Sequence, residues 1–210
     1  LLADDHEILR LGTATFLESR IGCKICAEAS DGREALKLAE STRPDVAIID
    51  LGLPGLNGLE LTRQIRRFLP DTEVVILSGN ISEGIAQCAL EAGAKAFICK
   101  IDVVEQLAEA VQTAGEHRFY LTPQAYEGLQ QKKPSGAGQP AAITTSDLTS
   151  REREIVQLLA EGKSNKEVAA LLGISVKTVE THRAAIMRKL KLARLSELVR
   201  YAIRHKIIDA

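Results

Sequence analysis

Short apolar runs alternate with longer stretches of helical periodicity over the first half of the chain. Residues 1–3, 46–49, 74–77 and 96–99 are runs of Leu, Val, Ala, Ile, Phe and Cys too short for helices. Such runs predict parallel strands buried on both faces. A fifth strand is predicted over the apolar segment 21–29. Between the strands, apolar residues recur at helical spacing: Leu9, Gly12 and Phe16 in a helix over 6–19, then Ala35, Leu38 and Ala39, then Leu61, Ile65, Phe68 and Leu69. Two more helices are predicted around 85–92 and from Asp102 onward. Asp31 with Glu34, and Asp102 with Glu105, have the spacing of helix starts. Five strands alternating with five helices predict an α/β fold, a five-stranded doubly wound parallel sheet, over residues 1–115.

The pattern changes after that. Thr122-Pro123 pairs an N-cap residue with Pro at the first helical position, which predicts a short helix to about residue 133. Residues 132–146, KKPSGAGQPAAITTS, hold few large apolar groups and read as a flexible linker. Residues 116–146 therefore form a connection. Residues 147–210 predict a small all-α domain of four helices. Thr149 with Glu152 and Ser164 with Glu167 are capping boxes, and Ser175 is an N-cap for a third helix. Ile155, Leu158 and Leu159 are the buried face of the first helix, and Val168, Leu171 and Leu172 that of the second. Gly162 and Gly173 mark helix ends. A short helix, a turn at 173–175 and a longer helix with a basic end spell helix-turn-helix.

Charge sharpens that division. Up to Ser146 there are 14 Lys and Arg against 20 Asp and Glu, and from Asp147 onward 13 against 8. An acidic module joined to a basic one implies that only the second meets nucleic acid, here double-stranded DNA. Cys23 and Cys26 form one C-x-x-C pair, but no second pair completes a metal set, so all four cysteines are expected to be buried, reduced thiols. No apolar run approaches the ~20 residues of a membrane span and no signal peptide opens the chain, so a cytoplasmic protein is expected. Leu1 lies almost inside the first strand without a preceding Met, which implies that a few natural residues precede it.

The candidate chemistry lies at the strand tips. Asp4 and Asp5 follow the first strand, Asp50 ends the 46–50 run, Ser78 follows 74–77 and Lys100 follows 96–99. In open α/β sheets the crevice beyond the C-terminal strand ends collects such groups. Each alone is an ordinary turn or cap residue; together they match the needs of phosphoryl transfer to a carboxylate. The acids would hold Mg²⁺, a hard cation that takes few carboxylates, while Ser78 and Lys100 would contact phosphoryl oxygens. A phosphatase with an aspartyl nucleophile needs a second acid two residues on, where this chain has Gly52, and the 52–58 segment has no nucleotide-loop pattern.

On these motifs, residues 1 to about 115 resemble the receiver domain of bacterial two-component response regulators, and 147–208 resemble a LuxR-type helix-turn-helix. The combination is similar to the NarL/FixJ family. The resemblance implies a phosphorylation-dependent transcription regulator, with Asp50 charged by a sensor histidine kinase. It implies Asp5 as a direct Mg²⁺ ligand, Asp4 mainly through water and the Gly52 carbonyl as a further ligand. Ser78 and Phe97 take the switch positions, and phosphorylation would draw Ser78 inward and bury Phe97. The alternative reading is a regulator that binds DNA without phosphorylation and uses its receiver only to dimerise. Three departures stand out. Gly79 replaces the usual Ala, Ile101 replaces the Pro that supports a cis peptide after Lys100, and Gly52 offers no side chain to align a hydrolytic water beside Asn80. The last implies a phosphoryl lifetime of minutes or longer.

In the third helix of the basic module, Val179, Ile186 and Leu190 form the inward stripe, with His182 on the same side as packing. The opposite face presents Lys177, Glu180, Thr181 and Ala184 as base-edge candidates for the major groove. Arg188, Lys189 and Lys191 are expected at phosphates. Ser164, Asn165, Lys166 and Thr178 match family positions that contact the DNA backbone, and Ala185 replaces an Asn common in the LuxR pattern. Leu195, Leu198, Val199, Ala202 and Ile203 form an apolar face on the last helix, which the family uses to dimerise on two-fold DNA sites.

Overall fold

The computed structural model describes residues 1–79, 84–101, 103–122 and 148–208. The expected linker helix and linker between 123 and 146, Asn80, and the Asp102 helix start lie outside these residues. The chain divides into two compact units, Leu1–Ser135 and Gly136–Ala210.

In the first unit, the elements are β1 (Leu2–Ala3), α1 (Glu7–Ile21), β2 (Glu28–Ala29), α2 (Gly32–Thr42), β3 (Val46–Asp50), α3 (Gly58–Phe68), β4 (Glu73–Ser78), α4 (Ile85–Ala92), β5 (Ala96–Cys99), α5 (Val103–Gly115) and β6 (Tyr120–Leu121). All sheet pairs are parallel, in the order β2-β1-β3-β4-β5-β6. The sheet is buried on both faces, as the continuous apolar runs require. Ile49, Ile76 and Phe97 pack with Ala35, Leu61 and Ile65 on one side. Leu2, Ile48, Leu77 and Ile98 pack with Leu17, Leu107 and Ala110 on the other. Each such Leu, Ile or Phe side chain contributes about 1.5–3 kcal/mol on burial. An exposed ion pair such as Arg118 with Glu116 contributes about 0–1 kcal/mol, so the two apolar layers hold the fold.

The structure corrects several expectations. The fifth strand, expected over 21–29, is only Glu28–Ala29, because α1 runs on to Ile21 and ends at Gly22 in the left-handed region (φ 66°). Along 23–28 burial alternates, with Cys23 half-buried and Cys26 exposed. Cys88 is half-buried, and of the four only Cys99 is buried. The buried residues of α1 are Thr13, Ala14 and Leu17; Leu9, Gly12 and Phe16 line an open cleft, and Phe16 also packs against the core. Phe68 is exposed, its ring beneath the Arg67 guanidinium at 5.2 Å. A sixth strand, β6, adds to the sheet beyond residue 115, with Tyr120 opposite Ala96. No cis peptide bond occurs among the described residues, and none of their helices is long and apolar enough to cross a membrane.

In the second unit, α6 (Ser150–Ala160), α7 (Asn165–Leu172), α8 (Val176–Lys189) and α9 (Leu195–Arg204) surround a core of Ile155, Leu158, Val168, Val179, Ile186 and Leu198. Leu171, expected inside, is exposed, and Ala169 takes its place on the buried face of α7. Both capping boxes are formed: Thr149 accepts from the Glu152 amide at 3.2 Å and Ser164 from the Glu167 amide at 3.3 Å. Ser175 accepts from the Thr178 amide at 3.0 Å. Each cap satisfies an amide that the helix itself cannot, so Thr149→Ala and Ser164→Ala are each expected to cost about 1 kcal/mol in urea denaturation.

Candidate phosphoacceptor site and DNA-reading helix

The strand order places the reversal of winding between β1 and β3, since the chain moves from β1 outward to β2 and then back to β3. The crevice of a doubly wound sheet opens at that point. Asp4 and Asp5 leave β1 there, and Asp50 ends β3 beside them.

Backbone hydrogen bonds fix the tips. The Asp4 amide donates to the Ala29 carbonyl (3.1 Å), Leu51 to Leu77 (3.1 Å) and Lys100 to Ser78 (2.8 Å). The loop after Asp50 returns at once, with the Gly58 amide donating to the Leu51 carbonyl (3.0 Å) and Asn57 capping α3 through the Glu60 amide (3.0 Å). Register aligns Asp50 with Leu77 and Ser78 with Cys99, so the acid, the hydroxyl and Lys100 fall in order along one edge.

Side chains then converge. The Lys100 ammonium lies 2.9 Å from Asp4 Oδ2 and 3.0 Å from Asp50 Oδ1. Asp4, Asp50 and Ser78 are buried, whereas Asp5 is exposed. Burial pushes the Asp50 carboxyl above the usual carboxylate range; the Lys100 charge and hydrogen bond oppose this, and the negative charges of Asp4 and Asp5 add to it. Burial alone would lower Lys100, but its hydrogen bonds to Asp4 and Asp50 and their charges outweigh it and hold the ammonium above the ordinary lysine range. Oxygen atoms of Asp4, Asp5 and Asp50, with a nitrogen of His6, all lie within 4.8 Å of one another. Carboxylates this close to a bound ammonium form a donor set suited to a hard divalent cation.

Phe97 is fully buried already. The sequence motifs do not single out His6, although it directly follows the acid pair.

On α8, Lys177, Glu180, Thr181, Ala184 and Arg188 are all exposed on one side, opposite Val179 and Ile186. Thr178 and Lys166 are exposed as well, and Ser164 and Asn165 begin α7. Arg183 donates to Asn165 Oδ1 (3.4 Å), linking the two helices. Lys189 pairs with Glu152 of the α6 capping box at 3.0 Å. In α9, Leu198 and Ala202 are buried in the core, which leaves Leu195, Val199 and Ile203, four residues apart in turn, as the outward apolar stripe.

Residues 1–112 match the response regulator receiver domain, and residues 146–202 match the LuxR family of bacterial regulatory proteins. The chain is 37% identical over 210 residues to the transcriptional regulatory protein LiaR of Bacillus subtilis, covering all of this chain and 98% of that one. It is 38% identical over 213 residues to the oxygen regulatory protein NreC of Staphylococcus carnosus, with the same coverage. Among solved structures it is similar to the response regulator ChrA of a heme-sensing two-component system, at 33% identity and a TM-score of 0.52, covering 99% of this chain and 96% of that one. With a receiver whose acids and lysine meet at the sheet's switch point and a helix-turn-helix that presents a polar exposed face, the chain belongs to the NarL/LuxR family of two-component response regulators, DNA-binding transcription regulators with an N-terminal receiver.

Proposed function

We propose that Asp50 is the phosphoacceptor through which a sensor histidine kinase controls DNA binding by α8. The observation that carries this reading is the Lys100 ammonium held between Asp4 and Asp50 in a buried crevice. An Asp50 oxygen attacks the phosphorus of a phosphohistidine, the P–N bond breaks, and its electron pair stays on the imidazole. Lys100 then faces one phosphoryl oxygen and Ser78 donates to another, both held by the ladder that joins β4 to β5. Asp4, Asp5, Asp50 and the Gly52 carbonyl would hold Mg²⁺, which neutralises phosphoryl charge during transfer. The apolar α1 cleft of Ile8, Leu9, Gly12 and Phe16 runs up to Lys100 and suits a helical donor that must bring its phosphohistidine there.

Output follows by population shift: the phosphorylated receiver favours a form that releases or dimerises the DNA-binding unit. Lys177, Glu180, Thr181 and Ala184 read base edges, and Lys166, Thr178 and Arg188 meet phosphates. The outward stripe of Leu195, Val199 and Ile203 pairs two copies, so the operator has two half-sites with two-fold symmetry. The test is DNA affinity and dimerisation with beryllofluoride and Mg²⁺ as the phosphoryl mimic. A gain in both supports the reading, and a response in neither leaves a regulator that binds DNA independently of phosphorylation. For the phosphate contacts, Arg188→Ala is expected to reduce the slope of log affinity against log salt by about one, without changing the preferred sequence.

A further inference from the structure

His6 directly follows the acid pair and stands at the N-cap of α1, yet its side chain makes no capping hydrogen bond. The imidazole turns the other way. Its Nδ1 lies 2.8 Å from Asp5 Oδ1 and 3.2 Å from Asp4 Oδ1, while its own amide donates to Asp4 Oδ1 at 2.9 Å. These separations have a geometric meaning. Donors about 2.1 Å from an octahedral cation stand about 3.0 Å apart along each cis edge, close to both nitrogen–oxygen separations, and one donor atom each from Asp4, Asp5, His6 and Asp50 lies within 4.8 Å of the others. The His6 side chain is 69% exposed, whereas Asp4 beneath it is buried.

We propose that His6 is a nitrogen ligand of the cation held by Asp4, Asp5 and Asp50, giving the site three carboxylates and one imidazole and a preference for first-row transition divalents over Mg²⁺. The inference rests on the reading of these acids as a cation site. Imidazole adds little for Mg²⁺, which favours oxygen, but suits the later first-row ions, whose affinity for mixed nitrogen and oxygen sites rises from Mn²⁺ to Cu²⁺. In the ion-free arrangement the Lys100 ammonium supplies the positive charge from the inner side, between Asp4 and Asp50. An ion bound through Asp5 and His6 comes from the outer side.

The test uses the full chain and His6→Gln, which keeps a polar side chain but removes the ring. Mn²⁺ is bound at the site and examined by electron spin-echo modulation, which detects a directly coordinated imidazole ¹⁴N. Co²⁺ and Mg²⁺ affinities are then read from their displacement of Mn²⁺. The expected result is a ¹⁴N modulation that disappears in His6→Gln, with Co²⁺ weakened at least about tenfold, equivalent to 1.4 kcal/mol, and Mg²⁺ changed less than about twofold. Mg²⁺ binding with no ¹⁴N modulation, or equal losses for Co²⁺ and Mg²⁺ in His6→Gln, overturns the role of His6 and leaves the acid site standing. Absence of Mn²⁺ and Mg²⁺ binding in the unsubstituted chain, with Asp50→Ala indistinguishable from it, overturns both readings.

Discussion

Asp50→Ala is expected to abolish the response to beryllofluoride and Mg²⁺, leaving DNA affinity and dimer fraction at their unstimulated values. In the unsubstituted chain the same treatment is expected to raise DNA affinity about 5- to 150-fold, the range of ordinary allosteric coupling. The asymmetry follows from the crevice. Asp50 ends β3 at the switch point, where its carboxylate meets the Lys100 ammonium and the acid cluster. Removing it also frees Lys100 to pair with Asp4 alone. The measurement is fluorescence anisotropy on an operator-containing duplex together with analytical ultracentrifugation. A full response in Asp50→Ala would place the acceptor elsewhere, and Asp5, the exposed acid, would be the next position to replace.

The second large effect is on stability. Gly32 opens α2 where the loop that follows Asp50 passes over it, and its amide donates to the Pro54 carbonyl at 3.1 Å. A Cβ there would stand 1.8 Å from the Leu56 carbonyl oxygen and 2.9 Å from Leu56 Cβ. Backbone has to move to admit it. Overpacking of a core usually costs about 1–3 kcal/mol, and displacement of a backbone carbonyl puts Gly32→Ala at or above the top of that range, about 3–5 kcal/mol. Gly79→Ala is the control, because a Cβ at Gly79 meets nothing within 4 Å. It is expected to lie within about 0.5 kcal/mol of the unsubstituted chain. Hydrogen exchange of the β3 amides in urea reports the receiver separately from the DNA-binding unit. Equal stabilities for Gly32→Ala and Gly79→Ala would contradict the tight approach of α2 to the loop.

The central strands were legible because burial on both faces leaves no polar residue in 46–49, 74–77 and 96–99. The order of the strand-tip groups carried the site for the same reason: a parallel sheet sets all its C-terminal ends on one edge. Margins were harder to read. Residues 21–29 are apolar enough for a strand, but helix α1 takes Ile21 and only Glu28–Ala29 pair with β1. β6 has two residues and no periodicity to display. Leu9, Gly12 and Phe16 have helical spacing, but spacing alone does not say which side of an amphipathic helix meets the sheet. In the DNA-binding unit, the pairing of Lys189 with Glu152 joins residues 37 apart and depends on the tertiary fold. Leu198 and Leu195 both look apolar in sequence, and only the packing of α9 on α6 sends the first inward and the second outward.

The sheet ends on each side in a strand of two residues, β2 at one margin and β6 at the other. Unpaired backbone at a sheet margin is a template for another chain, and its danger grows with its length. Here neither margin offers more than a couple of residues of ladder. Contacts between copies of this chain are thereby left to side-chain surfaces, with little opportunity for one sheet to be extended by the next.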